Sequence, residues 1–199
     1  MKYYIEVPKI KRYSHTMRIV LNVFLWTAII ITCVSFVAVI VIFFIPNSKF
    51  AISEGSLKQT GFSLDGILRF NSSEIPQETF LKKLYLTIML MSSFIGILVS
   101  LVLKQLVLII YSVEEDKPFA VKNAKRILTI GMILIFSSFL IPICEFLVAK
   151  EMVDTLKIQN VNINYSINIT LMFTGFMLFI LSGIFNYGGY LQNEYDDTV

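Results

Sequence analysis

The residues able to do chemistry are few, and most stand alone. Lys104 follows a stretch, 84–103, that carries no charge, and Glu145 comes one turn after Pro142 near the end of another apolar run. An ionisable group at membrane depth is costly to bury, so both are candidate intramembrane polar residues. Neither has a second carboxylate or a histidine at its own depth, which an acid–base pair or proton relay would need. The plainer readings are a lysine that snorkels its amine to the interface or meets a lipid headgroup, and an interfacial carboxylate near Lys150. His15, the one histidine, sits among Lys11, Arg12 and Arg18, where nothing completes a metal-ligand set. Cys33 and Cys144 lie inside apolar runs and form no CxxC, so they read as packing residues rather than a disulfide. There is no GxSxG, no HExxH and no phosphate loop. The expectation is a protein with no catalytic residue, no metal and no cofactor, and so not an enzyme.

The elements that must position these residues are membrane helices. The chain has 199 residues, 56% hydrophobic and only 16% charged, with a mean hydropathy of +0.73; a soluble domain carries about a quarter charged residues. A helix needs about 20 apolar residues to cross the hydrocarbon core. Four runs qualify, which sets the expected fold class as an all-α membrane protein, a four-helix transmembrane bundle in one domain, 1–199. The expected helices are 19–45, 84–111, 127–149 and 167–190, the third kinked by Pro142. The first run is too long for a signal peptide and no small-residue cleavage pattern follows it. No run alternates as a barrel strand would, and no inverted repeat suggests a transporter. Ser92, Ser93, Gly96 and Ser100 on helix 2, and Gly175 and Gly183 on helix 4, read as close helix packing.

Cations set the orientation. Five precede helix 1 (Lys2, Lys9, Lys11, Arg12, Arg18) and four occupy loop 112–126, against five spread over 47–83 and two in 150–166. Their density places the N-terminus, loop 112–126 and the tail 191–199 in the cytoplasm of a cell membrane. Segment 47–83, outside, alternates loosely and carries Gly55, Gly61 and Gly66, which suggests a small hairpin-like unit. Ser72, Ser73 and Pro76 then place a helix start near residue 75. The triplets beginning at Asn71, Asn164 and Asn168 match the glycosylation pattern weakly.

Two cytoplasmic pieces stand out. Pro118 breaks the chain, so Lys122, Asn123, Lys125 and Arg126 fall on the first turns of helix 3. Cations there oppose the helix dipole, which leaves lipid phosphates or an acidic partner as their reason. The tail carries Glu194, Asp196 and Asp197 without a cation. A net charge of +3 is too small to argue for direct nucleic-acid binding.

These pieces resemble a family of bacterial membrane proteins known as domain of unknown function 2975. Its pattern is a Gly-x-Pro-Phe turn followed by Asn, a basic residue and Ile-Gly. Asp116-Lys117-Pro118-Phe119, Asn123, Arg126 and Ile130-Gly131 correspond. The family's ending, Phe, Gly, Leu and an acidic-Thr-hydrophobic finish, corresponds to Phe185, Gly188, Leu191 and Asp196-Asp-Thr-Val199. Asp116 departs from the family glycine and Ala120 from a Ser or Thr cap, a loss typically worth about 1 kcal/mol, leaving Asp116 or Asn123 to cap instead. The resemblance implies no activity. It does imply a context, since family members are often encoded beside a small helix-turn-helix regulator. The expected function is a regulatory or interaction protein that holds such a partner at the membrane. Its candidate partner-binding residues are Lys117, Pro118, Phe119, Asn123, Arg126, Glu194, Asp196 and Asp197. The alternative is an extracytoplasmic ligand sensor or toxin-immunity protein acting through 47–83, and a small transporter ranks below both. Oligomeric state is open.

Overall fold

The computed structural model describes residues 7–50, 63–64, 68–69, 81–115, 117–156 and 163–196. Among them are four long helices: α1 (Val7–Phe44), α2 (Lys82–Glu114), α3 (Val121–Leu156) and α4 (Ile169–Asp196). All four are long and apolar enough to cross a bilayer, and the protein is an all-α, multi-pass membrane bundle. α1 has 38 residues and α3 has 36, about 55 Å each at 1.5 Å per residue against a hydrocarbon core of roughly 30 Å. Both therefore overrun the apolar runs that reveal them. Lysine, arginine and glutamate are good helix formers, so a charge ends the span without ending the helix.

The segment before α2 holds a single-turn 3-10 helix, Asn47–Phe50, and a minimal hairpin. Strands β1 (Ser63–Leu64) and β2 (Leu68–Arg69) run antiparallel, with Ser63 opposite Arg69 and Leu64 opposite Leu68. The expected helix start near residue 75 and the Asn71 triplet lie outside the described residues.

Burial is concentrated on one helix. Asn123, Ala124, Ile127, Ile130, Ser137, Ser138, Cys144, Ala149 and Met152 of α3 are all buried, while Phe24, Trp26, Ile31 and Phe36 of α1 and Phe173, Ile180 and Ile184 of α4 are exposed. Large apolar side chains exposed along whole helices fit lipid, not water, as the solvent. Two hydroxyls of α2 are satisfied within their own helix: Ser93 donates to the Met89 carbonyl at 2.8 Å and Ser100 to that of Gly96 at 2.8 Å. Both cysteines are free.

The chain divides into two compact units. In one (Thr32–Ile95 and Leu140–Ile167), Leu84, Ala149 and Met152 form a cluster with Leu81, Ile88, Val153, Leu156 and Ile163. There Lys82 Nζ donates to the carbonyls of Phe43 at 3.0 Å and Ile45 at 2.6 Å. A cation is thus placed on the carbonyls that Pro46 leaves open at the end of α1. Lys83 Nζ pairs with Glu151 at 2.9 Å.

The other unit (Met1–Ile31, Gly96–Phe139 and Asn168–Val199) contains the α3–α4 seam, which is made of small residues. A Cβ on Gly175 would lie 2.9 Å from the Gly131 carbonyl oxygen, and one on Gly131 would lie 3.0 Å from that of Gly175. Ser182 Oγ donates to the Ala124 carbonyl at 2.8 Å. A Cβ on Gly189 would lie 2.5 Å from the Phe119 carbonyl oxygen. Asn168, Gly175, Ser182 and Gly189 thus recur every seven residues, the spacing that keeps one face of a helix against its neighbour. At the head of the seam the Asn168 N–H donates to the Ser138 carbonyl at 3.1 Å. That carbonyl is the one Pro142, lacking an N–H, leaves without a helical partner.

Candidate functional site: the turn before α3

Between Glu114 and Val121 the chain must reverse, and a double clasp holds the reversal. The Lys117 N–H donates to the Ser112 carbonyl at 3.0 Å, and Ser112 Oγ donates back to the Lys117 carbonyl at 2.7 Å. Pro118 fixes the next φ and gives up no hydrogen bond in doing so. Asn123 then closes the turn from within. Its side chain is fully buried; Nδ2 donates to the Pro118 carbonyl at 3.0 Å and reaches that of Lys117 at 3.4 Å. Its Oδ1 accepts from Arg126 Nη1 at 2.8 Å, and the same nitrogen donates to the Leu108 carbonyl at 2.7 Å. Asn123 therefore holds the turn by donating to its carbonyls, and it is not a cap, which would accept from the first N–H groups of the helix. Asp116, the other residue suggested for that work, lies outside the described residues.

Phe119 carries the turn onto α4. Its ring stands 5.4 Å from that of Phe185, and a Cβ on Gly188 would meet it at 3.0 Å. A side chain at 188 would push the ring aside by a few tenths of an ångström. Lys117 and Phe119 nevertheless remain exposed, the latter at 42%, so the turn is fixed in shape and open at its surface.

A second charged group, which the sequence does not announce, lies in the same unit. His15 Nδ1 is 3.3 Å from Glu114 Oε1 and Arg18 Nε is 3.0 Å from Oε2, with the Arg18 guanidinium 5.5 Å over the Tyr111 ring. Neither Arg18 Nε nor Glu114 Oε1 has hydrogen-bond alignment, so these are close contacts of a carboxylate that is 12% exposed with a guanidinium and an imidazole that are both more open. Arg18 Nη2 is also 3.4 Å from His15 Nδ1. That nitrogen can accept from Arg18 when bare and donate to Glu114 when protonated. His15 gains one carboxylate neighbour, and no group of three metal-ligating side chains exists among the described residues.

The intramembrane candidates fall on surfaces. Lys104 is exposed on α2 and Glu145 is exposed on α3, and Glu145 forms no ion pair with Lys150. Glu194 is exposed on the last turns of α4; the side chain of Asp196 and all of Asp197 lie outside the described residues.

The family model described as a protein of unknown function, DUF2975, matches residues 67–199. The chain belongs to this family. No curated protein and no solved structure matches it. The geometry gives the DUF2975 motif residues a common purpose. Pro118, Phe119, Asn123, Arg126, Gly131, Phe185 and Gly188 all serve either the clasped turn or the seam that holds it to α4. Asn123 and Arg126 face inward to backbone, whereas Lys117 and Phe119 face outward. The sequence could have flagged Ser112 as a partner for the turn, because a serine one residue beyond an apolar run often bonds nearby backbone. Nothing local could have paired His15 with Glu114.

Proposed function

We propose that this DUF2975 protein is a non-enzymatic bacterial membrane protein that holds a small cytoplasmic helix-turn-helix regulator at the inner face of the cell membrane. The supporting observation is the clasped turn. Asn123 and Arg126 fix it, Lys117, Pro118 and Phe119 form its surface, and the Phe119–Gly188 contact joins it to α4, whose last turns carry Glu194. An exposed apolar ring and a cation on the turn, with Glu194 exposed near the end of α4, offer the mixture of anchor and charged rim that suits a protein partner. The cation density of the N-terminal segment and of loop 112–126 supports the cytoplasmic placement.

The test is co-purification from membranes of the full chain with the helix-turn-helix protein encoded beside it. Phe119→Ala with Lys117→Ala, and separately removal of 191–199, should each release the regulator to the soluble fraction. A regulator that is soluble in the presence of the wild-type chain overturns the proposal. A second reading, ligand sensing outside the cell, draws on a cavity of about 270 Å³ lined by Phe43, Asn47, Lys82, Lys83 and Leu86. Its two amines are already engaged, with backbone carbonyls and with Glu151, and it ranks second for that reason.

A further inference from the structure

We infer that Glu145 and the chain at 164–167 form a site for the phosphoethanolamine headgroup of a phospholipid, at the end of the membrane spans away from the clasped turn. The α3–α4 seam advances by sevens on both helices. Ala124, Gly131 and Ser138 of α3 meet Ser182, Gly175 and Asn168 of α4. Two further steps of seven bring Glu145 and then Met152 to the same face of α3. Ala124, Gly131, Ser138 and Met152 are buried, and Glu145 alone of these five is exposed. The cover is missing there because α4 begins at Ile169 and stops short of it.

Beyond Glu145 a different part of the chain closes the face. Ile163 packs on the cluster of Leu84, Ala149 and Met152, and the Asn168 N–H is bonded to the Ser138 carbonyl. Residues 163–168 are not helical, so they run beside α3 from the level of that cluster to Ser138 and pass Glu145 on the way. Five extended steps reach about 17 Å, against roughly 17–21 Å of α3 from Ser138 to Ala149 or Met152. The segment therefore has no slack with which to fold over the carboxylate.

Both sides of this gap are polar and unmet. Among the described residues Glu145 has no ion pair or hydrogen bond, and Asn164, Ser166 and Ile167, all exposed, have no hydrogen bond. α3 carries no charge from Ile127 to Cys144, about 27 Å of helix, so Glu145 stands at the edge of the hydrocarbon, where headgroups lie. Bare backbone N–H groups and a carboxylate facing that layer are costly unless something meets them. A phosphoethanolamine meets both. Its ammonium donates to the Glu145 carboxylate, and its phosphate oxygens accept from the open N–H groups, so both contacts are charge-assisted. Its acyl chains have the exposed Ile169 and Phe173 of α4 to lie against. Glu145 is about 36 Å along α3 from Val121, which makes the site separate from the surface assigned to the regulator.

The test uses the full chain and the variant Glu145→Gln, reconstituted in vesicles of equal phosphatidylethanolamine and phosphatidylcholine. The two headgroups share a phosphate and a net charge, but choline has no N–H to donate. Lipid retained after extraction is counted by native mass spectrometry. The wild type should retain phosphatidylethanolamine over phosphatidylcholine by about tenfold, the worth of one hydrogen bond between charged groups. Glu145→Gln should bring the two lipids to near-equal retention. In vesicles of phosphatidylcholine alone its melting temperature should match the wild type, since the Glu145 side chain has no protein partner to lose. Equal retention of the two lipids by the wild type overturns the inference, as does an undiminished preference in the variant. Displacement of the lipid by soluble glycerophosphoethanolamine would make this a site for a free amine and overturns it too. Loss of the preference with the regulator still held at the membrane supports the lipid site, whatever the fate of the reading of the turn.

Discussion

Replacing Gly175 with alanine adds one methyl group at the tightest point of the α3–α4 seam. Its Cβ would sit 2.5 Å from Ile135 Cγ1, 2.9 Å from the Gly131 carbonyl oxygen and 3.1 Å from the Ile135 backbone nitrogen. The Ile135 side chain can turn aside, but the other two atoms are backbone, so α3 and α4 must part by several tenths of an ångström. The same seam carries the Ser182–Ala124 bond at 2.8 Å and the Asn168–Ser138 bond at 3.1 Å, both of which lengthen as the helices separate. Overpacking of this kind costs about 1–3 kcal/mol. Gly183 is the internal control, because a Cβ there meets nothing within 4 Å. Gly183→Ala should stabilise by up to about 1 kcal/mol through helix propensity alone. Both glycines lie inside α4 and share that gain, so the two variants should differ by about 1–3 kcal/mol, the cost of overpacking alone. Unfolding of the purified protein in mixed detergent micelles, followed by helical circular dichroism, measures the difference. Equal stability of Gly175→Ala and Gly183→Ala would refute the seam as described.

Other perturbations probe the remaining parts. Asn123→Ala strands the Pro118 carbonyl and removes one partner of Arg126, and should cost about 1–3 kcal/mol, with faster tryptic cleavage after Lys122 as the readout. Glu114→Gln leaves Arg18 without its charge partner. Because Arg18 is partly open to solvent, the loss should be about 1 kcal/mol or less, and smaller still in high salt. Pro142→Ala restores an N–H that competes for the Ser138 carbonyl, so hydrogen exchange at the Asn168 amide should quicken while helix content stays unchanged.

The spans were readable because a bilayer imposes a local demand: about 20 apolar residues in a row leave a mark that needs no tertiary knowledge. What the helices do beyond the spans was not readable that way, since α1 begins at Val7 and α4 continues to Asp196 through residues that hydropathy treats as loop. Gly175 and Gly183 look alike in the sequence, and only the register of α4 on α3 separates the one that packs from the one that does not. Asn123 and Arg126 stood out as motif residues, but the chemistry suggested by their types was outward recognition. Their partners, the carbonyls of Pro118 and Leu108, are backbone groups that no side-chain pattern reports. Glu114 shows no sign of His15 in sequence because the pair is made by α1 and α2 lying together, not by spacing along either.

The bond from Asn168 to Ser138 has a consequence for the surrounding lipid. Ser138 is the midpoint of the apolar run 127–149, so the apolar run of α4 starts where half of α3's has already passed. Seven-residue matching along the seam then displaces the two runs by about a dozen residues, ~18 Å at 1.5 Å per residue, more than half of a hydrocarbon core of about 30 Å. A flat bilayer of uniform thickness cannot match both. Tilt, local thinning or lengthening of the exposed ends must take up the difference, each at a cost that changes with membrane thickness. The proline that frees an acceptor in mid-helix thereby ties this protein's stability to the thickness of the membrane around it.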